Sequence, residues 1–146
     1  MKSEYNLFIG IDPGTKTGFA VWEPKSKEFK VIETLTITTA MSRVNVYSHL
    51  YPDTNMLVVF EDSRMGRSLF GKIKTDSGRL QGAGSVKRDC AIWEDFLKEQ
   101  EIPFEKAKPG TFKTKVDKTY FKQLTKFEGI TSNHGRDAAM LVFGRK

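Results

Sequence analysis

The sequence predicts an α/β fold that opens with three antiparallel strands and adds a parallel strand later. Three observations carry this. The chain begins with apolar runs joined by tight polar turns, Met56 to Phe60 is an uninterrupted apolar run, and apolar residues recur at helical spacing further along.

The first run, Leu7-Phe8-Ile9-Gly10-Ile11, ends at Asp12, turns at Pro13-Gly14 and leads directly into Phe19-Ala20-Val21-Trp22. Proline presets the second position of such a turn and glycine accepts φ > 0, so the stretch reads as a β-hairpin. A second strand over Phe19 to Glu23 and a third over Phe29 to Ile37 flank the polar turn Pro24-Lys25-Ser26-Lys27. Ser42 to Leu50 reads as a short helix, with Ser42 as its N-cap, Val46 and Leu50 on one face, and Pro52 closing it. Met56 to Phe60 lacks the alternation of a half-exposed strand, which suits burial on both faces beside a parallel partner. It stops at Glu61-Asp62. Ser63 to Leu80 shows neither period and reads as a long loop. From Ala83, the positions Ala83, Val86, Cys90, Trp93 and Leu97 fall on one helical stripe that Pro103 follows. Phe104 to Ala107 is a short final strand, a helix carries Phe121 and Leu124, and Ser132 to Phe143 is a capped helix with Ala138, Leu141 and Val142 buried.

A chain of 146 residues is long enough for one domain with a real core, and 11 phenylalanines argue against disorder. The balance of 24 Lys and Arg against 18 Asp and Glu favours a polyanionic partner. Cys90 is the only cysteine, which excludes an intramolecular disulfide and a cysteine-based zinc site and fits a reducing cytoplasm. No leader pattern and no apolar run of about 18 residues is present, so secretion and membrane spanning are not expected.

Candidate chemistry lies where apolar elements meet acids. Asp12 and Glu61 each end a strand, and strand ends are where sites are built in open α/β sheets. Taken alone, each reads equally as a surface acid opening a turn. His134 and Asp137 are three apart and project from one face of a helix's first turn. Together the four supply oxygen ligands and one imidazole, a hard set suited to Mg²⁺ or Mn²⁺. Two such ions can activate a water and stabilise a leaving oxygen in phosphodiester hydrolysis. Arg64, Arg67, Lys72, Lys74 and Arg79, interleaved with Phe70, together with Lys108 and Lys115, provide cations for phosphate and an aromatic for bases. The same loop also reads as a basic surface with Phe70 tucked into the core.

Gly10-Ile11-Asp12-Pro13-Gly14, the Glu61 that ends a Val-Val-Phe strand, the glycine-rich entry to the long helix, and His134-Gly-Arg-Asp137-Ala-Ala resemble the RuvC family of Holliday-junction resolvases, in chain order over nearly the whole sequence. The resemblance implies a ribonuclease H-like fold, with a five-stranded mixed sheet flanked by helices and a single nuclease domain over residues 1–146. It also implies a homodimer that cuts four-way DNA junctions with Mg²⁺ in the cytoplasm of a bacterial or phage-infected cell. Asp12, Glu61, His134 and Asp137 take the family's metal-ligand positions, and Lys113 and Lys118 match its phosphate-contacting lysines, more closely spaced than in typical bacterial members. Where some members carry aspartate, this chain has His134, so activity is expected to fall as the imidazole protonates. The compact length resembles phage-type members, and Asp62 is a candidate to support a neighbouring ligand or to substitute for one, without a catalytic role of its own.

Rival readings share the same residues. A ribonuclease H-like nuclease of the YqgF type, acting on RNA or an RNA-DNA hybrid, would use the same carboxylates. A noncatalytic junction-binding module would keep DNA affinity after Asp12→Asn. The actin and sugar-kinase fold, with its phosphate-cradling Asp-Gly-Thr turn, needs two such domains, for which 146 residues do not suffice.

Overall fold

Strand β1 (Leu7–Asp12) pairs antiparallel with β2 (Thr17–Glu23), and β2 pairs antiparallel with β3 (Glu28–Leu35). The computed structural model describes residues 5–50, 55–66, 77–110 and 115–146, with helical residues 77–81 and 83 described by backbone alone. On the other side of β1 lies β4 (Met56–Glu61), parallel to it, and β5 (Phe104–Ala107) is parallel to β4. The sheet order is therefore β3-β2-β1-β4-β5, the expected mixed sheet with three antiparallel strands first.

The Pro13-Gly14 turn closes the first hairpin as expected. Asp12 faces Gly18 in the register, and the buried Thr17 hydroxyl donates to the Gly14 carbonyl at 2.7 Å. Buried on both faces, β1 and β4 form the middle of the molecule. Their side chains alternate between two cores. Ile9, Ile11, Val58 and Phe60 pack with Ala40, Val44, Cys90, Trp93 and Leu97 on one face, where α1 (Ile37–Leu50) and α2 (Ser77–Glu99) lie. Phe8, Leu57 and Val59 pack with Phe121, Ala138, Ala139 and Val142 on the other, beneath α3 (Lys118–Thr125) and α4 (Asn133–Val142). Full burial stabilises by roughly 1.5–3 kcal/mol for each large apolar side chain, so these two strands anchor both layers.

Two helices begin earlier than their sequence pattern indicates. Helix α1 starts at Ile37, not after Ser42, and β3 ends at Leu35. Thr36 caps the helix, its hydroxyl accepting from the Thr39 amide at 3.3 Å and its carbonyl from Ala40 at 2.9 Å. The threonine-rich run reads as strand because β-branched residues favour strands, but a local side-chain bond at Thr36 starts a helix instead. The buried face is Ala40 and Val44, while Val46 and Leu50 are exposed. Helix α2 starts at Ser77, inside the stretch read as an aperiodic loop, and that stretch also contains a single 3₁₀ turn at Ser63–Met65. Glycines at 78, 82 and 84 weaken the helical signal without preventing the helix.

The last helix is capped as expected, with the Ser132 hydroxyl accepting from the Gly135 amide at 3.0 Å. No described helix is long and apolar enough to cross a membrane.

Candidate active site

The parallel pairing of β1 with β4 sets Ile11 opposite Phe60, so Asp12 and Glu61 end neighbouring strands at the same edge of the sheet. Helix α4 crosses the sheet above them and can come close because two strand positions lack a side chain. A Cβ on Gly10 would lie 2.1 Å from the Ala138 carbonyl oxygen, and one on Gly18 would lie 1.9 Å from that of His134. These glycines are what lower the first turn of α4 onto Asp12.

The result is a cleft of about 350 Å³ lined by Asp12, Glu61, His134 and Asp137, with Lys115 at its side. His134 Nδ1 lies 3.1 Å from Asp12 Oδ2, and Lys115 Nζ lies 3.6 Å from Asp137 Oδ2. Burial pushes the Asp12 carboxyl above its ordinary value against the opposing hydrogen bond from His134, and Asp137 pushes it further. Burial likewise raises Glu61, with Asp12 and Asp137 adding to the effect and Lys115 opposing it. Both shifts come first from burial, with the charge of neighbouring carboxylates adding to it.

That donor set fits a hard divalent cation, which prefers carboxylate oxygen and would relieve the repulsion among the acids. Among the described residues no three His, Cys, Asp or Glu side chains are grouped closely enough to hold an ion, and Asp12 is bonded to His134 instead. The fit is thus one of ligand chemistry and convergence on one cleft.

The remaining sequence candidates are dispersed. Arg67, Phe70, Lys72, Lys74 and Lys113 lie outside the described residues, and Arg79 lies in the first turn of α2. Lys118 lines a separate depression with Glu33, Thr131 and Asn133. Lys108 is exposed just beyond β5. Arg64 is bound by two acids, Asp62 and Glu94. Asp62 is fully buried, accepts from the Arg64 backbone amide and caps the 3₁₀ turn, so its side chain does not line the acidic cleft.

Sequence reasoning missed Arg136. Although charged, it is buried within α4, donating from Nε to the Val116 carbonyl at 3.0 Å and from Nη1 to Thr131 at 2.9 Å, with Nη2 on Asn133. It thereby fastens the segment carrying Lys115 to the helix carrying Asp137. Its place in the last motif, between His134 and Asp137, is the only signal the sequence offered.

Comparison with solved structures places the same architecture on a known protein. RuvC from T. thermophilus, solved in complex with a Holliday junction substrate, superposes with a TM-score of 0.59 at 14% identity, over 94% of this chain and 90% of that one. The chain has the fold of that protein, an α/β ribonuclease H-like fold with a mixed five-stranded sheet. No protein-family model matches the sequence, and no curated protein matches it.

Proposed function

We propose that the chain is a divalent-metal-dependent endonuclease that resolves four-way DNA junctions, acting as a homodimer through one nuclease domain over residues 1–146. The observation that carries this reading is the convergence of Asp12, Glu61, His134 and Asp137 on one cleft at the sheet edge, in a fold shared with a protein solved on a Holliday junction. Asp12, Glu61, His134 and Asp137 would hold Mg²⁺ or Mn²⁺. When bound, the metal would lower the pKa of the attacking water, so that it can give up its proton and act as the nucleophile, and would supply charge to stabilise the leaving oxygen.

The chain's own residues do the rest. Lys115 presents an ammonium beside Asp137, where it would pair with a phosphate oxygen entering the cleft. In the tautomer that donates from Nδ1, His134 orients the Asp12 carboxylate and would leave Nε2 as the atom available to the metal. Arg136 keeps Lys115 in register with α4 through Val116. Two copies would cut two strands, which resolution of a four-way junction requires.

The test is a substrate panel of end-labelled four-way junction, duplex, single strand and RNA-DNA hybrid, each with Mg²⁺ and with chelator. Paired symmetric nicks confined to the junction support the proposal. Cutting of hybrid or RNA would keep the site but make the chain a YqgF-like ribonuclease, and junction binding without cutting would make it a recognition module.

A further inference from the structure

We propose that Asp62, Arg64 and Glu94 form a brace on the reverse face of the sheet that positions Glu61, which makes Arg64 a positioning residue of the cleft and not a phosphate contact. The inference rests on the reading of Glu61 as a metal ligand.

The strand pleat separates the two neighbouring acids. Val59 faces the core beneath α4 and Phe60 faces the core beneath α2, so Glu61 follows Val59 toward the cleft and Asp62 follows Phe60 toward α2. Asp62 is 1% exposed, and a buried carboxylate needs charge and hydrogen bonds to offset its lost hydration. Arg64 provides both, with Nε on Oδ1 and Nη2 on Oδ2, each at 2.8 Å, and its backbone amide on Oδ1 at 3.0 Å. The same Nη2 reaches Glu94 Oε1 of α2 at 2.8 Å. Glu94 in turn receives Lys98 at 2.9 Å and Lys106 of β5 at 3.2 Å, and Lys106 stands opposite Phe60 in the register.

Four elements are therefore tied together within one residue of Glu61. The Asp62 amide donates to the Ala107 carbonyl at 2.9 Å, continuing the ladder past the end of β4, and Cys90 Sγ donates to the Glu61 carbonyl at 3.5 Å. The Glu61–Asp62 peptide is thus held from behind through both its carbonyl and its amide, and with it the direction of the Glu61 side chain. Nε and Nη2 of Arg64 are both committed to these acids, and withdrawing them would strand the buried Asp62 carboxylate. Lysine cannot replace Arg64, because an ammonium lacks the planar fork that binds both Asp62 oxygens.

Arg64→Lys and Glu94→Gln test the brace. Three quantities are read on each purified variant: Mn²⁺ affinity by calorimetry, four-way junction affinity across a salt series, and thermal unfolding. The brace predicts Mn²⁺ affinity about 10–100-fold weaker in Arg64→Lys, a smaller loss in Glu94→Gln, and unchanged junction affinity and salt slope measured without metal. Unchanged Mn²⁺ affinity with weaker junction binding and a salt slope reduced by about 1 would overturn it, making Arg64 a phosphate contact. A shift in unfolding temperature alone would overturn it too. Wild type that takes up Mn²⁺ through Glu61 but cuts nothing would end the nuclease reading and leave the brace supported, whereas Mn²⁺ uptake insensitive to Glu61→Gln would end both.

Discussion

At Asp12 the fold buries a carboxyl at a cost in stability. Burial holds its carboxyl above the ordinary value despite the bond from His134, and Glu61 is raised in the same way. A raised acid binds its proton more tightly in the folded protein than in the unfolded chain, so stability falls as pH rises through the interval between those two values. Asp12→Asn and Glu61→Gln are thus expected to raise the unfolding temperature at pH 7 and to give no gain well below the unfolded carboxylate value, while metal-dependent cleavage falls by at least about 100-fold. Thermal denaturation at both pH values checks the first part, and a lower unfolding temperature at pH 7 would refute it. The four residues that line the cleft stood out in the sequence because an acid at the end of an apolar strand, or beside a histidine on a capped turn, contrasts with its neighbours. The role of Asp62 was not legible. Its sequence position next to Glu61 left open a ligand or a support for one, and only the pleat shows that it points to the other side of the sheet.

At the scale of elements, the placement of α4 depends on the glycines beneath it. Gly18→Ala would drive a methyl group into the His134 carbonyl, at a distance no Cβ tolerates, so the helix must lift. The expected cost is at least about 1–3 kcal/mol, together with loss of Mn²⁺ binding as His134 and Asp137 move off Asp12. Gly84→Ala is the control. It sits in α2 with nothing within 4 Å of an added Cβ, and is expected to stabilise by roughly 0.5–1 kcal/mol through helix propensity alone. Urea unfolding of the two variants separates the effects, and similar ΔΔG values would refute the close-approach argument. The strands were readable from the sequence because alternating or continuous apolar runs depend on local pattern. The starts of α1 and α2 were not, because a Thr36 cap and a glycine-containing first turn compete with the strand and loop tendencies of the same residues.

Across the whole molecule, the ion network around Glu94 links β5, α2 and the turn after β4. Lys98, Lys106 and Arg64 hold the Glu94 carboxyl at about 2, well below its ordinary 4.5. A depressed acid contributes stability that is complete above its unfolded value and is lost as pH falls toward the folded one. Wild type is therefore expected to be more stable than Glu94→Gln at pH 6, with the difference shrinking from about pH 4.5 and gone near pH 2. Urea midpoints across that range check this, and a difference that persists at pH 2 would contradict it. The antiparallel opening of the sheet and its later parallel strand followed from the hairpin and the doubly buried run over 56–60. The network did not, since Asp62, Arg64, Glu94 and Lys106 meet only once α2 is rotated against β4 and β5.

We propose that the cleft is a metal-dependent nuclease centre for branched DNA. Its most direct test is single-turnover cleavage of a four-way junction at saturating protein, with Mg²⁺ or chelator, for wild type and Asp12→Asn, with junction binding measured on the same samples. Symmetric nicks are expected from wild type with Mg²⁺ only, and none from Asp12→Asn although it still binds the junction. Undiminished cleavage by Asp12→Asn, or cleavage that survives chelation, would contradict it.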